Sequence, residues 1–266
     1  MENSNSTILV IDVGNTNTVL GLYQGATLRA LWRLATSREQ TADEYGILIH
    51  NLFALEKISA TDISGIMIAS VVPPMNFVLA EMATKYLKIE ALFLGPGIRT
   101  GMAIMVDTPQ EVGADRIADA VAAYDKYGGP CIVVDLGTAI TFDCISAKGE
   151  YLGGAIMPGI GIAAEALFQR TAKLPRVEIR EPDRVIGTNT INSIQSGLFY
   201  GAVDAIDGML DRICAVLGKQ VKVIATGGQA PLVAAASKYK PPIDPSLTLD
   251  GLRIIYQRHR SGSRHR

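Results

Sequence analysis

The chain has 266 residues, 48% of them hydrophobic and 19% charged, and its 26 acidic residues nearly cancel 25 Lys and Arg to leave a net charge of −1. That length suits one or two domains with a sizeable core, and the composition excludes a disordered or fibrous chain. The balanced charge gives no global field for nucleic acid or an anionic membrane, which excludes a polyanion-binding body.

The chain opens with a polar stretch, Met1 to Thr7, with Glu2 where an export signal would carry a basic region, so no signal is expected. Ile8 to Ile11 reads as a buried strand closed by Asp12, Gly14 and Asn15, and Val19 to Tyr23 reads as the strand after the turn. Ala42 to Glu56 carries Tyr45, Ile47, Leu48, Leu52 and Leu55 at the spacing of an amphipathic helix. Ile66 to Val72 is a strand stopped by Pro73 and Pro74, followed by a helix around Phe77 to Leu87, a short strand Ala91 to Leu94 and a Gly/Pro-rich loop, Gly95 to Gly101. A helix is predicted from Gly113 through Tyr124.

Cys131 to Val134 then repeats the opening grammar: an apolar run, Asp135, Gly137 and Thr138, and a second strand through Ile140, Phe142 and Ile145. V-I-D-V-G-N-T at Val10 to Thr16 is echoed by V-V-D-L-G-T at Val133 to Thr138, an internal repeat that implies duplication of one α/β domain. Tyr151 to Met157 reads as a strand, Gly161 to Arg170 as a helix, Thr190 to Leu217 as a long helical region and Val221 to Ala225 as a strand ending in Thr226, Gly227 and Gly228. The expected architecture is two α/β halves whose loops meet at one cleft, with boundaries at 1–115 and 116–257 and a mobile basic tail at 258–266 holding four arginines and no acid. The longest stretch without a charge, Tyr151 to Ala164, is too short and too rich in Gly and Pro for a membrane span. Cys131, Cys144 and Cys214 have no metal-ligand spacing and read as small thiols of a reducing cytoplasm.

An Asp at the end of a buried strand, followed by a turn of Gly and small hydroxyl residues, can turn several backbone N–H groups toward an anion. Thr16, Asn17 and Thr18 add side-chain donors beside Gly14, while Asp12, an acceptor only when ionised, suits a metal ion or its waters. A single such turn is ordinary turn chemistry; the repeat at two strand ends points to a phosphate site. No G-x-x-x-x-G-K-[ST] loop occurs. Gly159, Gly161 and Ala164 nearly spell a dinucleotide fingerprint, but the strand before them reads as a hairpin partner and the βαβ context is missing.

Three motifs, D-V-G-N-T-N-T-V at Asp12 to Val19, G-A-D-R at Gly113 to Arg116 and D-L-G-T-A at Asp135 to Ala139, make the chain resemble the type III pantothenate kinases of the acetate and sugar kinase, Hsp70 and actin superfamily. Y-L-G-G-A-I-M-P-G at Tyr151 to Gly159, N-T at Asn189 and Thr190, Q-S-G at Gln195 to Gly197 and T-G-G at Thr226 to Gly228 extend the resemblance over nearly the whole chain. It implies duplicated actin/ribonuclease H-like domains, mixed sheets flanked by helices around an interdomain cleft, and phosphorylation of pantothenate by ATP with Mg²⁺. By the resemblance, Asp12, Val13, Gly14, Asn15, Thr16, Asn17, Thr18 and Val19 form the phosphate loop, with Asp12 reaching Mg²⁺ through water, and Thr138 contacts nucleotide phosphate. Gly113, Ala114, Asp115, Arg116 and Thr190 bind the substrate, Asp115 is the general base, and Asp135 is a ligand for K⁺ or NH₄⁺. Gly227 and Gly228 let the backbone approach the adenosine.

Read without the resemblance, Asp115 is a helix N-terminal acid or half of an ion pair with Arg116, and Thr190 a helix cap. The chain departs from some members at Val106, where they place a substrate-contacting tyrosine. The resemblance further implies a cytoplasmic homodimer acting on small molecules, with no nucleic acid or membrane partner. The alternatives are a regulatory relative acting on gene expression, which intact Asp12, Asp115, Arg116 and Asp135 argue against, and another small-molecule kinase of the superfamily.

Overall fold

The protein is described by a computed structural model over residues 6–218 and 220–263. The export-signal reading falls partly on residues 1–5 and the tail reading partly on residues 264–266, outside the described residues.

The opening repeat forms an antiparallel meander, β1 (Thr7–Val13), β2 (Asn17–Gln24) and β3 (Thr27–Ala35). Parallel strands β4 (Ile63–Ser70) and β5 (Leu92–Phe93) complete a five-stranded sheet in the order β3-β2-β1-β4-β5. β1 and β4 are near-continuous runs of Ile, Leu, Val and Met because both of their faces are covered. One face receives α1 (Ala42–Leu55) and α2 (Pro73–Met82), which bury Tyr45, Ile49, Phe53, Met75 and Leu79 against Leu9, Ile11 and Ile68. α1 starts at a capping box in which the Glu44 backbone N–H donates to Thr41 Oγ1 at 3.3 Å and the Thr41 N–H donates to Glu44 Oε2 at 2.7 Å. α2 starts on Pro73 and Pro74, so the prolines that stop the strand also open the helix.

The second copy repeats the plan. β7 (Cys131–Leu136), β8 (Ala139–Ile145) and β9 (Glu150–Pro158) form the meander, β10 (Lys222–Thr226) lies parallel to β7, and short β6 (Ala103–Ile104) lies parallel to β9. The order is β10-β7-β8-β9-β6. Its core packs Ile132, Val134, Ile140 and Phe142 against α4 (Ile160–Arg170), α5 (Thr190–Leu217) and the single turn α6 (Ala230–Val233). β9 is antiparallel to β8. The Gly159–Gly161 turn therefore joins a meander strand to α4 and does not sit in a βαβ frame.

The compact units are not the contiguous halves of the sequence. Among the described residues, one comprises those through Met102, Asp107–Ala122 and those from Leu247 on; the other comprises Ala103–Val106 and those between Ala123 and Ser246. The expected boundary after Asp115 falls inside α3 (Ala114–Tyr127), and the chain returns to the first unit through α7 (Leu247–Ser263). α7 also changes the reading of the basic tail, since Arg258 to Ser263 are its last turns. The apolar residues Leu249, Leu252, Ile255 and Tyr256 start the helix on the first sheet, and the Gly95–Gly101 loop holds its end. Arg258 donates to the Thr100 carbonyl at 3.0 Å, the Arg99 N–H donates to His259 Nδ1 at 3.3 Å, and the Arg99 guanidinium caps the Gly262 carbonyl at 2.9 Å.

α7 also presses on α3. A Cβ at Gly251 would stand 2.0 Å from the Ala118 carbonyl oxygen, so these backbones meet where only glycine fits. Because the obstacle is backbone and cannot rotate away, Gly251→Ala is expected to destabilise the protein by about 2 kcal/mol or more. Urea unfolding checks this, and an unchanged midpoint would contradict the close approach.

Candidate active site

In the first unit the site is built on the turn between β1 and β2. The Gly14 N–H donates to the Asn17 carbonyl at 3.0 Å, the Thr36 N–H donates to the Thr16 carbonyl at 3.0 Å, and the Thr36 hydroxyl donates to the Gly14 carbonyl at 2.7 Å. Asp12 is half-buried at the end of β1, paired with Val19 and Ala69, while Asn15 and Thr16 are exposed. Thr18 differs from the role expected of it. Its side chain is fully buried, with Oγ1 at 3.0 Å from the Thr36 hydroxyl, so its hydroxyl braces the turn from inside and is not presented as a donor. Val13 is likewise buried and offers only backbone. Tyr45 is packed behind Thr18 and the Ser37 backbone; burial raises its pKa, and those two polar neighbours lower it in part.

Gly113 and Ala114 lead into α3 in the same unit. Asp115 Oδ1 accepts from the Arg116 backbone N–H at 2.8 Å and stands 2.5 Å from where a Gly113 Cβ would be, so the glycine makes room for the carboxylate. Burial pushes the Asp115 carboxyl above its ordinary value, while the Arg116 N–H and the Arg116 charge pull it partly back. A half-buried carboxylate with a raised pKa at a helix start is a suitable proton acceptor.

In the second unit, the β7–β8 turn is held by one internal hydrogen bond and by two other segments. The Gly137 N–H donates to the Ala139 carbonyl at 3.0 Å, the Gln229 N–H to the Leu136 carbonyl at 3.0 Å and the Gly159 N–H to the Thr138 carbonyl at 3.1 Å. Gly227 has φ of +91°, and a Cβ there would stand 2.3 Å from Asp135 Oδ1; a Cβ at Gly159 would stand 2.3 Å from the Thr138 carbonyl oxygen. The Thr226–Gly228 loop and the Tyr151–Gly159 segment, which sequence places far apart, thus both abut the Asp135–Thr138 turn. Val106 rests against the position a Gly153 side chain would take.

Thr190 is the first residue of α5 and is exposed; the cap is Asn189, whose Oδ1 accepts from the Asn192 N–H at 2.8 Å. The helix-cap reading of Thr190 therefore gives way. Its surroundings are a groove of about 650 Å³ lined by Leu167, Leu174, Gly187, Thr188, Ser193 and Leu198 beside it. Sequence reasoning missed Thr36 altogether, because a lone Thr after an unassigned strand carries no signal without the pairing of β2 and β3.

Among the described residues, no group of three or more His, Cys, Asp or Glu side chains could hold a metal ion by itself. The donor set fits a divalent ion carried mainly by substrate phosphates, since Mg²⁺ retains waters and takes one or two carboxylates. Asp12 places one carboxylate beside the turn, half-buried at the end of β1.

Two duplicated meanders, each with an acidic glycine turn at the end of its first strand, define an actin-like fold. Solved structures share it: a chain named as a Baf family transcriptional activator from Campylobacter jejuni (TM-score 0.57, 21% identity, 96% of this chain and 99% of that one) and an inorganic polyphosphate/ATP-glucomannokinase from Arthrobacter sp. strain KM (TM-score 0.50, 15% identity, 97% and 100%). At those identities the likeness is one of fold. A family model for type III pantothenate kinase matches residues 8–212. Proteins named type III pantothenate kinase from Koribacter versatilis (55% identical, 97% of this chain and 98% of the relative) and Solibacter usitatus (52%, 95% and 97%) align over nearly their full lengths. The chain belongs to the type III pantothenate kinase family. The family implies ATP with a divalent metal, and no described helix is long and apolar enough to cross a membrane.

Two outcomes follow from the geometry. Asp115→Asn removes a charge that burial disfavours: with its folded pKa raised, the carboxylate weakens the fold above its unfolded pKa. The variant is therefore expected to melt at a higher temperature than wild type at neutral pH, and a lower melting temperature would contradict the raised pKa. Gly227→Ala is expected to weaken ADP binding about tenfold, by straining a positive φ and displacing the Asp135 turn, as calorimetric titration would show.

Proposed function

We propose that the chain transfers the γ-phosphoryl group of ATP to the primary hydroxyl of pantothenate, giving 4′-phosphopantothenate, the first step toward coenzyme A. The observation that carries this reading is G-A-D-R at the start of α3, with Asp115 half-buried and its pKa raised, in a chain that is 55% identical to a protein named type III pantothenate kinase. The N–H groups of the Gly14–Thr18 turn hold the triphosphate, with Asp12 turned toward the waters of Mg²⁺. The metal supplies charge neutralisation between the phosphates when bound. Asp115 accepts the hydroxyl proton as the new P–O bond forms, because the alcohol becomes acidic only late in the transfer. Arg116 fixes the substrate with paired donors. Asp135 serves a monovalent cation, K⁺ or NH₄⁺, Thr138 contacts a nucleotide phosphate, and Thr190 at its groove contacts the substrate.

The protein works in the cytoplasm as a homodimer, in this reading. Support comes from apolar side chains left exposed in the second unit, among them Ile156 at 64% and Ile186 at 82% of full exposure, which a second copy would cover.

Incubation with ATP, Mg²⁺, K⁺ and a panel of hydroxylated acceptors, read by mass spectrometry, is expected to yield phosphopantothenate; phosphorylation of another acceptor only would overturn the substrate. Asp115→Asn is expected to lower kcat about 100-fold or more while ADP binding persists. In wild type, kcat/KM is expected to fall as pH drops through a pKa above the ordinary aspartate value of 3.8, because only the carboxylate accepts a proton.

A further inference from the structure

Thr36 is the residue on which the phosphate turn hangs, and no motif points to it. It lies just past β3 and makes three contacts: its N–H to the Thr16 carbonyl at 3.0 Å, its hydroxyl to the Gly14 carbonyl at 2.7 Å, and its Oγ1 to Thr18 Oγ1 at 3.0 Å. A threonine hydroxyl has one proton, and Thr36 gives it to Gly14, so the proton in the Thr18–Thr36 contact comes from the buried Thr18.

These contacts set the direction of two peptide planes. In a planar trans peptide the C=O and the following N–H point opposite ways. Holding the Gly14 carbonyl on Thr36 aims the Asn15 N–H away from it; holding the Thr16 carbonyl on Thr36 does the same for the Asn17 N–H. A turn that binds an anion needs this polarity, since a carbonyl oxygen swung toward a phosphate would repel it. An unpinned two-residue hairpin would instead close on itself, with the Gly14 carbonyl accepting from Asn17 and that donor consumed.

The second copy supports the assignment. Asn17 pairs with Ala35 in the first meander and Ala139 with Pro158 in the second, so Thr36 and Gly159 are equivalent positions. Gly159 gives its N–H to the Thr138 carbonyl just as Thr36 gives its own to Thr16. At 159 a side chain is excluded by the Thr138 carbonyl oxygen, 2.3 Å from a Cβ; at 36 the side chain is present and supplies a second pin.

We propose that Thr36 is a positioning residue for ATP, its hydroxyl and N–H turning the carbonyls of the Gly14–Thr18 turn inward so that the turn presents N–H groups to the phosphates. The inference rests on the reading of that turn as the phosphate loop. It is tested with Thr36→Val, which keeps the shape and removes the hydroxyl, and Thr36→Ser, which keeps the hydroxyl. Removing the hydroxyl loses its part-buried bonds to the Gly14 carbonyl and to Thr18, which predicts that Thr36→Val raises the Kd for Mg-ADP and the KM for ATP about tenfold. The KM for pantothenate is expected to stay within about twofold, a split that a merely structural role would not give, and Thr36→Ser is expected to recover most of the loss. ADP binding by Thr36→Val at wild-type affinity would overturn the proposal, as would an equal rise in both KM values or failure of Thr36→Ser to recover. Should Thr36→Val not fold, Thr36→Ala carries the same test, and failure of both to fold would assign Thr36 a structural role and overturn the proposal. If wild type binds Mg-ADP but phosphorylates no pantothenate, the reading of the substrate fails while the ADP titration still decides the role of Thr36.

Discussion

A triphosphate concentrates several negative charges, and this chain, with a net charge of −1, has no surplus of cations with which to meet them. In the proposed function backbone dipoles meet that charge together with Mg²⁺, and a turn binds an anion only if its carbonyl oxygens face elsewhere. Both copies of the repeat occupy turn carbonyls with donors from the protein, alike at Thr16/Thr138 and Asn17/Ala139. In the first, the Gly14, Thr16 and Asn17 carbonyls are each taken by a donor from the protein; in the second, those of Leu136, Thr138 and Ala139 are. The flanking strands, the glycines at 159 and 227 and the hydroxyls of Thr18 and Thr36 follow from that need.

The carboxylates carry a second constraint. In the proposed function Asp115 suits the part of base because it is half-buried and its pKa is raised, and the same burial makes the ionised form a burden on the fold. The surrounding packing offsets that burden. α7 presses its Gly251 on the Ala118 backbone and is anchored on the sheet by the Tyr23 hydroxyl donating to Asp250 at 2.7 Å. α7 therefore steadies the helix that begins at Ala114.

Much of this was legible from residues alone, because strand-ending turns are local. Asp12 to Thr18 and Asp135 to Thr138 announce themselves by composition, and the strands on either side by unbroken apolar runs. The strand signal of β3 is weak although Leu28, Ala30, Trp32 and Leu34 alternate, since its other face is exposed and carries Leu31 beside Arg29 and Arg33. Missing β3 meant missing Thr36, whose partners lie 18 to 22 residues back in the sequence. The helix at 247–263 was hidden for a related reason: its basic final turns resemble a solvated tail until the Arg99 loop is seen to hold them. Likewise, Thr18 looks like its neighbours in a run of polar residues, and only the alternation of β2 turns it into the core.

The most direct test is a crystal structure with a non-hydrolysable ATP analogue, Mg²⁺ and pantothenate bound together. The account predicts phosphate oxygens within hydrogen-bond distance of the Asn15 and Asn17 N–H groups, and the pantothenate hydroxyl about 2.6–3.2 Å from the Asp115 carboxylate. A triphosphate seated away from the Gly14–Thr18 turn, or an acceptor hydroxyl out of reach of Asp115, would contradict it.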